Sequence, residues 1–581
     1  MNPRLRKLGS YLRPHWITVT LGIIALLIVN TIGVYIPLLI GGGVDALQSA
    51  QNLRGILNLV FWLLLYATLM WIFRMFSRLS MFGVGRQVEF ELKQKIFEHL
   101  LRLEPSYFST NSIGDLINRA TSDVDNIRRL LGFAILSLVN SLFVYALTLP
   151  FMLAISVKLT VLSLLVYPLM LAAVQLFSHR LRHEQEQVQE RLSDLSQLIQ
   201  EDMSGIALIK IYAQEWSERL AFGQQNRSLL KANLRLARSR NLLFPIVEGL
   251  VSISLLVLLW LGTEAIAAGE IQVGEFVALL IYVERLVFPT ALLGFTITAY
   301  QRGEVSIDRI EAILDAEPMI QNAEAAIALP PELVTGKLSA HNLTFTYPGQ
   351  TQPALRNIDF TIQPGETVAL VGPIGSGKST LATAIPRLLD VGPGQIFLDG
   401  HDITQLRLQD LREAIAYVPQ ESFLFSSQIR NNIRYGRPIA EQPEVEGAAK
   451  AARIHPEILN FPHQYDTIVG ERGITLSGGQ RQRTSIARAL MLEASVLVLD
   501  DALSSVDNQT ATEILDRLIH QAKNQTVLFI SHQLSAAATA DRIFVMDKGE
   551  IVQMGTHEEL LTQPGLYQEL WRQQQLEKAL Q

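Results

Sequence analysis

The stretch TVALVGPIGSGKSTLATAI, Thr367–Ile385, sets a β-branched run directly before Gly372-Pro-Ile-Gly-Ser-Gly-Lys-Ser379, with a helix-forming run directly after it. Glycine lets the backbone curl until several N–H groups point at one spot, and the first turn of the next helix adds the positive end of its dipole. In this strand, loop and helix context the pattern is a phosphate cradle, far more specific than glycines alone. Lys378 would reach the β- and γ-phosphates of ATP, and Ser379 would ligate Mg²⁺. Gly372, Pro373, Ile374, Gly375, Ser376, Gly377 and Thr380 complete the expected ATP-binding set.

Downstream, VLVLDDALSSVD runs four apolar residues, Val496–Leu499, into Asp500 and Asp501. Asp500, ending an expected strand, is placed to hold Mg²⁺ through its water shell. An apolar run ending in aspartate is a weak signal alone. It gains weight by lying downstream of the phosphate loop and just after LSGGQRQRTSIARAL, Leu476–Leu490. There Ser477, Gly478 and Gly479 open a helix and so present free N–H groups and a dipole, a second anion site far from the first in sequence.

Upstream the composition changes. The chain has 581 residues, too many for one ordinary core, and its first 300 or so carry long, sparsely charged apolar runs. A membrane-spanning helix needs about 20 such residues. Six segments qualify, roughly 17–40, 56–80, 131–154, 158–178, 243–268 and 275–300. The basic N-terminal start is followed by an apolar run too long for a signal peptide and by no cleavage pattern, so it reads as a retained first membrane helix. The joins 81–130 and 179–242 are long, helical in pattern and rich in Arg and Lys, which assigns them and the N-terminus to the cytoplasm.

A net charge of −6 and the lack of a basic tract argue against a nucleic-acid partner. The absence of cysteine excludes disulfides and thiolate metal sites. Glu248, Glu284 and Arg285 lie within the last two spans. Each either faces a wet cavity on a substrate path or sits near the interface, snorkelling or paired to a neighbouring helix. Trp62, Tyr66, Trp71, Phe143, Tyr145, Phe288 and Phe295 either line a cavity for amphipathic molecules or serve as packing and interface anchors.

The signature LSGGQ, behind the phosphate loop and ahead of the aspartate pair, resembles that of the ATP-binding cassette family. In that family two cassettes pack head to tail, which implies that Leu476, Ser477, Gly478, Gly479 and Gln480 serve the ATP of a partner chain. The resemblance further implies that Tyr347 in FTYPG stacks on adenine, Gln420 in AYVPQES contacts Mg²⁺, and His532 in LFISHQL touches the γ-phosphate. By the same resemblance Asp507 in SSVD communicates across the dimer, and GERG, Gly470–Gly473, meets coupling helices.

Six spans ahead of one cassette resemble a bacterial half exporter of the type IV fold, most similar to the multidrug-resistance-like subunits. The implied fold is a six-helix all-α transmembrane domain (1–315), a linker (316–336) and a C-terminal α/β P-loop nucleotide-binding domain (337–575). The polar tips Ser112, Ile113, Gly114, Asp115, Leu116 and Tyr212, Ala213, Gln214, Glu215, Trp216 become the expected coupling helices. The expected location is the inner membrane, with the nucleotide-binding domain cytoplasmic.

In most members of the family the residue after the Mg²⁺ aspartate is a glutamate that orients and polarises water. Asp501 is one methylene shorter, and a misplacement of about 1 Å costs on the order of 100-fold in rate. The chain should bind ATP well and hydrolyse it slowly, with Asp501, His532 and Gln420 as the catalytic set. Its intact signature fits a heterodimer whose second site is competent. A homodimer in which Asp501 does slow general-base work with His532 is the alternative. An ATP-gated sensor or channel is a rival of another class, and an importer is disfavoured because importers keep the two domains on separate chains. The substrate is expected to be lipophilic or amphipathic, with drugs, lipids and peptides all open.

Overall fold

The computed structural model describes residues 3–48, 53–506, 508–521 and 525–580. The chain forms two compact units: one runs to Leu101 and resumes over Asn111–Ala316, and the other takes Arg102–Thr110 and the chain from Glu317 onward.

The first unit is all helix. Among the described residues, six helices are long and apolar enough to cross a membrane: Arg6–Gln48, Arg54–Leu100, Ile113–Ile155, Val157–Ser204, Glu215–Ala267 and Val273–Leu314. Each has 42 residues or more, about twice what a bilayer needs, so every one continues well past the hydrocarbon layer. The long joins, expected on the cytoplasmic side, are therefore extensions of the spans themselves. Short connections join the third span to the fourth at Ser156, which is extended and whose hydroxyl caps the next helix at Leu159 N, and the fifth to the sixth at Ala268–Gln272.

Apolar side chains gain little by packing on each other where lipid is the solvent, so close backbone approach and internal hydrogen bonds hold such helices together. Gly41 and Gly274 meet so closely that a Cβ on Gly274 would lie 2.1 Å from the Gly41 carbonyl oxygen. Buried hydroxyls donate across helices: Tyr282 to the Val34 carbonyl at 2.6 Å, Tyr167 to that of Val283 at 2.5 Å, Ser254 to that of Ser163 at 2.6 Å. Each would otherwise be an unsatisfied polar group in hydrocarbon. Two π-helical segments, Arg119–Asp123 and Leu130–Ala134, interrupt the third span. The first of them places Asp123 to accept from Ser306 at 2.7 Å, while Arg309 bridges Asp115 and Asp123.

The second unit is α/β. Its strands are β1 (Leu338–Phe345), β2 (Leu355–Ile362), β3 (Thr367–Val371), β4 (Ile396–Leu398), β5 (His401–Asp402), β6 (Ile415–Val418), β7 (Val496–Leu499), β8 (Thr526–Ile530), β9 (Arg542–Asp547) and β10 (Glu550–Gly555). They form a four-stranded sheet, β2-β1-β4-β5, and a six-stranded sheet, β10-β9-β3-β8-β7-β6. From β9 to β6 the larger sheet is parallel. β3, β7 and β8 are buried along their whole length, which is why they read as unbroken apolar runs. Alternation along β3 sends Val368 and Leu370 into one core and Ala369 and Val371 into the other.

The stretch expected as a linker is held on this unit rather than free of it. Ile327 exchanges backbone hydrogen bonds with Gln405 and Arg407, Leu329 N donates to Asp410, and the Asp399 carboxylate accepts from Thr335 and Lys337.

Candidate functional site

In an open parallel sheet the carboxyl ends of neighbouring strands are where loops converge. Here β3 ends at the glycine-rich loop, β8 leads into Ser531 and His532, β7 into Asp500 and Asp501, and β6 into Gln420. These four strands are adjacent, so residues up to 160 positions apart come to one edge. Backbone hydrogen bonds carry the register past the strand ends, from Asp500 N to the Val418 carbonyl at 2.9 Å and from Ser531 N to that of Leu370 at 3.4 Å.

Only glycine fits where the cradle starts: Gly372 has φ 149°, and a Cβ there would lie 2.1 Å from the Met546 carbonyl oxygen. Gly377, also left-handed, opens the helix Lys378–Ala384. The buried Lys378 ammonium folds back over the loop and donates to the carbonyls of Gly372 at 2.8 Å and Pro373 at 2.7 Å. Burial pulls that ammonium below the usual lysine value, against the nearby Asp501 and Asp500. Ile374 at the loop tip is almost fully exposed.

Ser379 donates to Asp500 at 2.8 Å, and the Tyr417 hydroxyl donates to the other carboxylate oxygen at 3.2 Å. Burial pushes the Asp500 carboxyl above the usual aspartate value, with the bonds from Ser379 and Tyr417 opposing it. Asp501 is raised too, by burial first and by its like-charged neighbour Asp500, while His532, Ser504 and Gln420 act against the shift. Asp501 and His532 line one cavity of about 110 Å³. The backbone at Asp501 is left-handed, φ 48°, a conformation that aspartate adopts more readily than longer side chains do.

The hydroxyl of Ser379 and the Asp500 carboxylate, joined by the amide oxygen of Gln420, whose side chain bonds the adjacent Asp501, would offer an all-oxygen donor set that suits a hard cation such as Mg²⁺. Among the described residues no cluster of three or more His, Asp or Glu side chains could hold a metal alone, so a cation here needs further oxygens, such as those of a phosphate chain. Tyr347 is half-buried beside the helix of the cradle, its hydroxyl 3.2 Å from that of Thr380 and its ring edge-on to Phe345. Tyr417 was not anticipated from sequence. Its only signal is its place three residues before Gln420 on the strand beside β7.

The signature stands apart from this cluster. Ser477 caps the helix Gly478–Leu490, accepting from Gln480 N at 3.2 Å while its own N–H donates to the Gln480 side chain at 2.9 Å. Of the three N–H groups expected to be free, that of Ser477 is thus satisfied by a capping box, which leaves those of Gly478 and Gly479 at the first helical positions without an intrahelical acceptor. Gln480 also donates to Glu457 at 2.8 Å, and a Cβ on Gly479 would lie 2.9 Å from the Ser505 carbonyl oxygen. Leu476 is buried beneath. In Gly470–Gly473 Arg472 takes a left-handed conformation, φ 51°, and so kinks the short turn Glu471–Gly473. Asp507 lies outside the described residues.

The tips of the helical unit differ in detail from expectation. Ser112 is the N-cap of Ile113–Asn118, so Ile113, Gly114, Asp115 and Leu116 are the first turn of the third span rather than a helix of their own. The short separate helix in that region is Pro105–Thr110. In the second tip the separate helix is Ile206–Ile211; Tyr212 ends it, Ala213 turns at φ 52°, Gln214 follows, and Glu215 and Trp216 already begin the fifth span. A left-handed turn stops a helix, which is why the break falls inside the pentad.

Within the spans, Glu284 and Arg285 line a cavity of about 760 Å³, and Glu248 is exposed on the fifth span outside the described cavities. Arg285 donates to the Asn30 carbonyl at 3.1 Å and its side chain at 3.3 Å, in space left by Gly33. Of the aromatics considered, Phe288 lines this cavity and Phe295 a second one; Tyr145 bonds Thr290 instead.

Comparison with known proteins agrees with this architecture. Residues 19–290 match the family described as ABC transporter transmembrane region, and residues 355–504 the family described as ABC transporter. The chain is 34% identical over 576 residues to the multidrug resistance-like ATP-binding protein MdlA of Escherichia coli, covering 99% of this chain and 97% of that one. It is 33% identical over 571 residues to the ATP-dependent lipid A-core flippase of Syntrophus aciditrophicus, covering 98% and 93%. A solved bacterial Atm1-family ABC exporter with ATP bound superposes with a TM-score of 0.78 at 27% identity, covering 97% of this chain and 99% of that one. With both domain families in order on one chain and relatives matched from end to end, the protein belongs to the ABC exporters of the type IV fold.

Proposed function

We propose that this chain is one half of a dimeric, ATP-driven exporter of lipophilic or amphipathic compounds in the inner membrane, with its nucleotide-binding unit in the cytoplasm, and that it is the slow-site half of a heterodimer. The observation that carries the reading is the pairing of a complete phosphate cradle and signature with aspartate at position 501.

In this reading Gly372–Thr380 wrap the phosphates of ATP, Lys378 leaves the loop carbonyls to meet them, and Tyr347 turns its ring to the adenine. Mg²⁺, held by Ser379, Gln420 and Asp500, would screen charge on the phosphate chain. Asp501 and His532 share one cavity and would orient water there, but from a carboxylate about one C–C bond too short. Leu476–Gln480 would complete the partner's site, where a glutamate does the work at full rate, and Asp507 would carry the state of one site to the other. The tips around Ser112–Leu116 and Tyr212–Trp216 would pass closure of the nucleotide units to the spans, turning the cavity outward.

The shared cavity of Asp501 and His532 also supports a second reading, a homodimer that runs slowly on two aspartates. Intact-mass analysis of the tagged chain purified from its native membrane separates the two. A second, homologous chain with glutamate after its Mg²⁺ aspartate is the expected result, and a clean homodimer overturns the heterodimer. Uphill, ATP-dependent accumulation of a substrate in sealed vesicles tests export itself, against a gated channel or sensor.

A further inference from the structure

A second cavity, of about 510 Å³, opens between the third, fourth, fifth and sixth spans. Arg129, Arg182, Arg240 and Arg302 line it, one from each helix, and among the described residues no acidic side chain does. Their neighbours in the wall, Asn126 and Phe133, Ser178 and Gln185, Leu236, and Phe295 and Thr298, recur at helical spacing, so four helix faces are turned to the same space. Arg129 is paired with Asp125 at 2.7 Å. Among the described residues Arg182, Arg240 and Arg302 form no ion pair; Arg182 reaches only Thr298, at 3.3 Å. The Arg182 Nε and the Ser178 hydroxyl are both buried without a hydrogen-bond partner.

Phe133 also lines the larger cavity, which makes the two spaces neighbours. There the charge has the same sign: Arg74, Arg78 and Arg285 against Glu284. Arg74 is within electrostatic range of both other arginines, and none of the three forms an ion pair among the described residues. Basic residues near a membrane face are common on the cytoplasmic side, but that tendency places them around a perimeter and facing headgroups. It does not converge four guanidinium groups on one cavity, where Arg182 is half-buried, Arg129, Arg240 and Arg302 are exposed, and like charges gathered with a single carboxylate partner, that of Arg129, repel one another until an anion joins them.

We propose that the two cavities form a cationic track that selects amphiphilic organic anions, molecules with a phosphate or carboxylate group on an apolar body. The arginine forks take the anion in bidentate hydrogen bonds, and Phe133, Phe288 and Phe295 take the apolar part. The inference rests on the export reading and narrows its substrate class. Cationic amphiphiles are excluded by the same charges.

The test uses the full chain, with whatever subunit it assembles with, in phosphatidylcholine nanodiscs and without nucleotide. Three probes share one dodecyl tail and one neutral fluorophore: an alkyl phosphate, an alkylphosphocholine and an alkyltrimethylammonium. The alkyl phosphate should bind about tenfold or more tightly than the other two, and more weakly as salt rises. R182Q with R302Q should erase that preference, and R182K with R302K should keep part of it, which separates lost charge from lost fold. Equal binding of all three probes by the unaltered protein overturns the proposal whether or not the variants fold. A butyl phosphate that binds as well as the dodecyl form assigns the source to water; a dodecyl preference assigns it to the membrane. Both support the site. In sealed vesicles, anion-selective binding without ATP-driven uptake removes the export reading and leaves the site, whereas uptake blind to charge removes the site and leaves export.

Discussion

The hydroxyl of Ser379, in the first turn after the glycine loop, donates a 2.8 Å hydrogen bond to the carboxylate of Asp500, 121 residues further along the chain. Together with Tyr417 it leaves Asp500 a buried carboxylate with both oxygens occupied and oriented. If that orientation serves a cation, its loss should be felt only when the cation is present. Asp500→Asn is expected to weaken Mg-ATP binding by about tenfold or more while leaving Mg-free ATP binding within about twofold. Lys378→Ala should weaken both. Calorimetric titration with and without Mg²⁺ checks the difference.

Asp501 offers a test by lengthening. Asp501→Glu should raise ATP turnover by about 10- to 100-fold by returning the missing methylene, less a cost of about 1 kcal/mol in stability for a longer side chain at a left-handed position. Asp501→Asn should remove residual turnover at this site. An unchanged rate in the glutamate variant would mean that carboxylate reach is not what limits the chemistry.

The same carboxyl predicts a pH dependence. Burial raises Asp501 above its usual value, so the folded chain holds a proton on it to higher pH than the unfolded chain does. Between the two values the native state binds more protons, so stability falls as pH rises through that window, and the penalty stands in full above it. Asp501→Asn, which cannot ionise, should therefore melt at a higher temperature than the parent at neutral pH without nucleotide, and the gain should shrink as the solution is acidified towards pH 4. Turnover that depends on ionised Asp501 should fall on the acid side at a pH above that of a free aspartate. Differential scanning calorimetry and a pH-rate profile read the two effects.

In the helical unit the close approach of Gly41 and Gly274 leaves no room for a methyl group. The atom in the way is a backbone carbonyl, which cannot swing aside as a side-chain end can. Gly274→Ala should cost about 1–3 kcal/mol and lower the melting temperature in detergent, while Gly42→Ala, one residue from the contact and facing open space, should be nearly silent.

Much of this protein is readable from local pattern. Apolar runs of sufficient length announce six spans, glycines before Lys378 announce the cradle, and LSGGQ announces the start of a helix, because hydropathy, left-handed turns and helix starts are properties of neighbouring residues. Local pattern says nothing of strand order, and it is the order β3-β8-β7-β6 that brings Gly372, His532, Asp500 and Gln420 to one edge and sets Tyr417 against Asp500. Nor does it give helix rotation: Arg129, Arg182, Arg240 and Arg302 look in sequence like scattered cytoplasmic charges, and only the packing of four helices turns them to one cavity. Helix and turn propensities act over a few residues, whereas register and rotation are set by contacts between residues a hundred or more apart. The sequence therefore determined which elements exist and which chemistry they carry, and the tertiary structure decided which of those groups face each other.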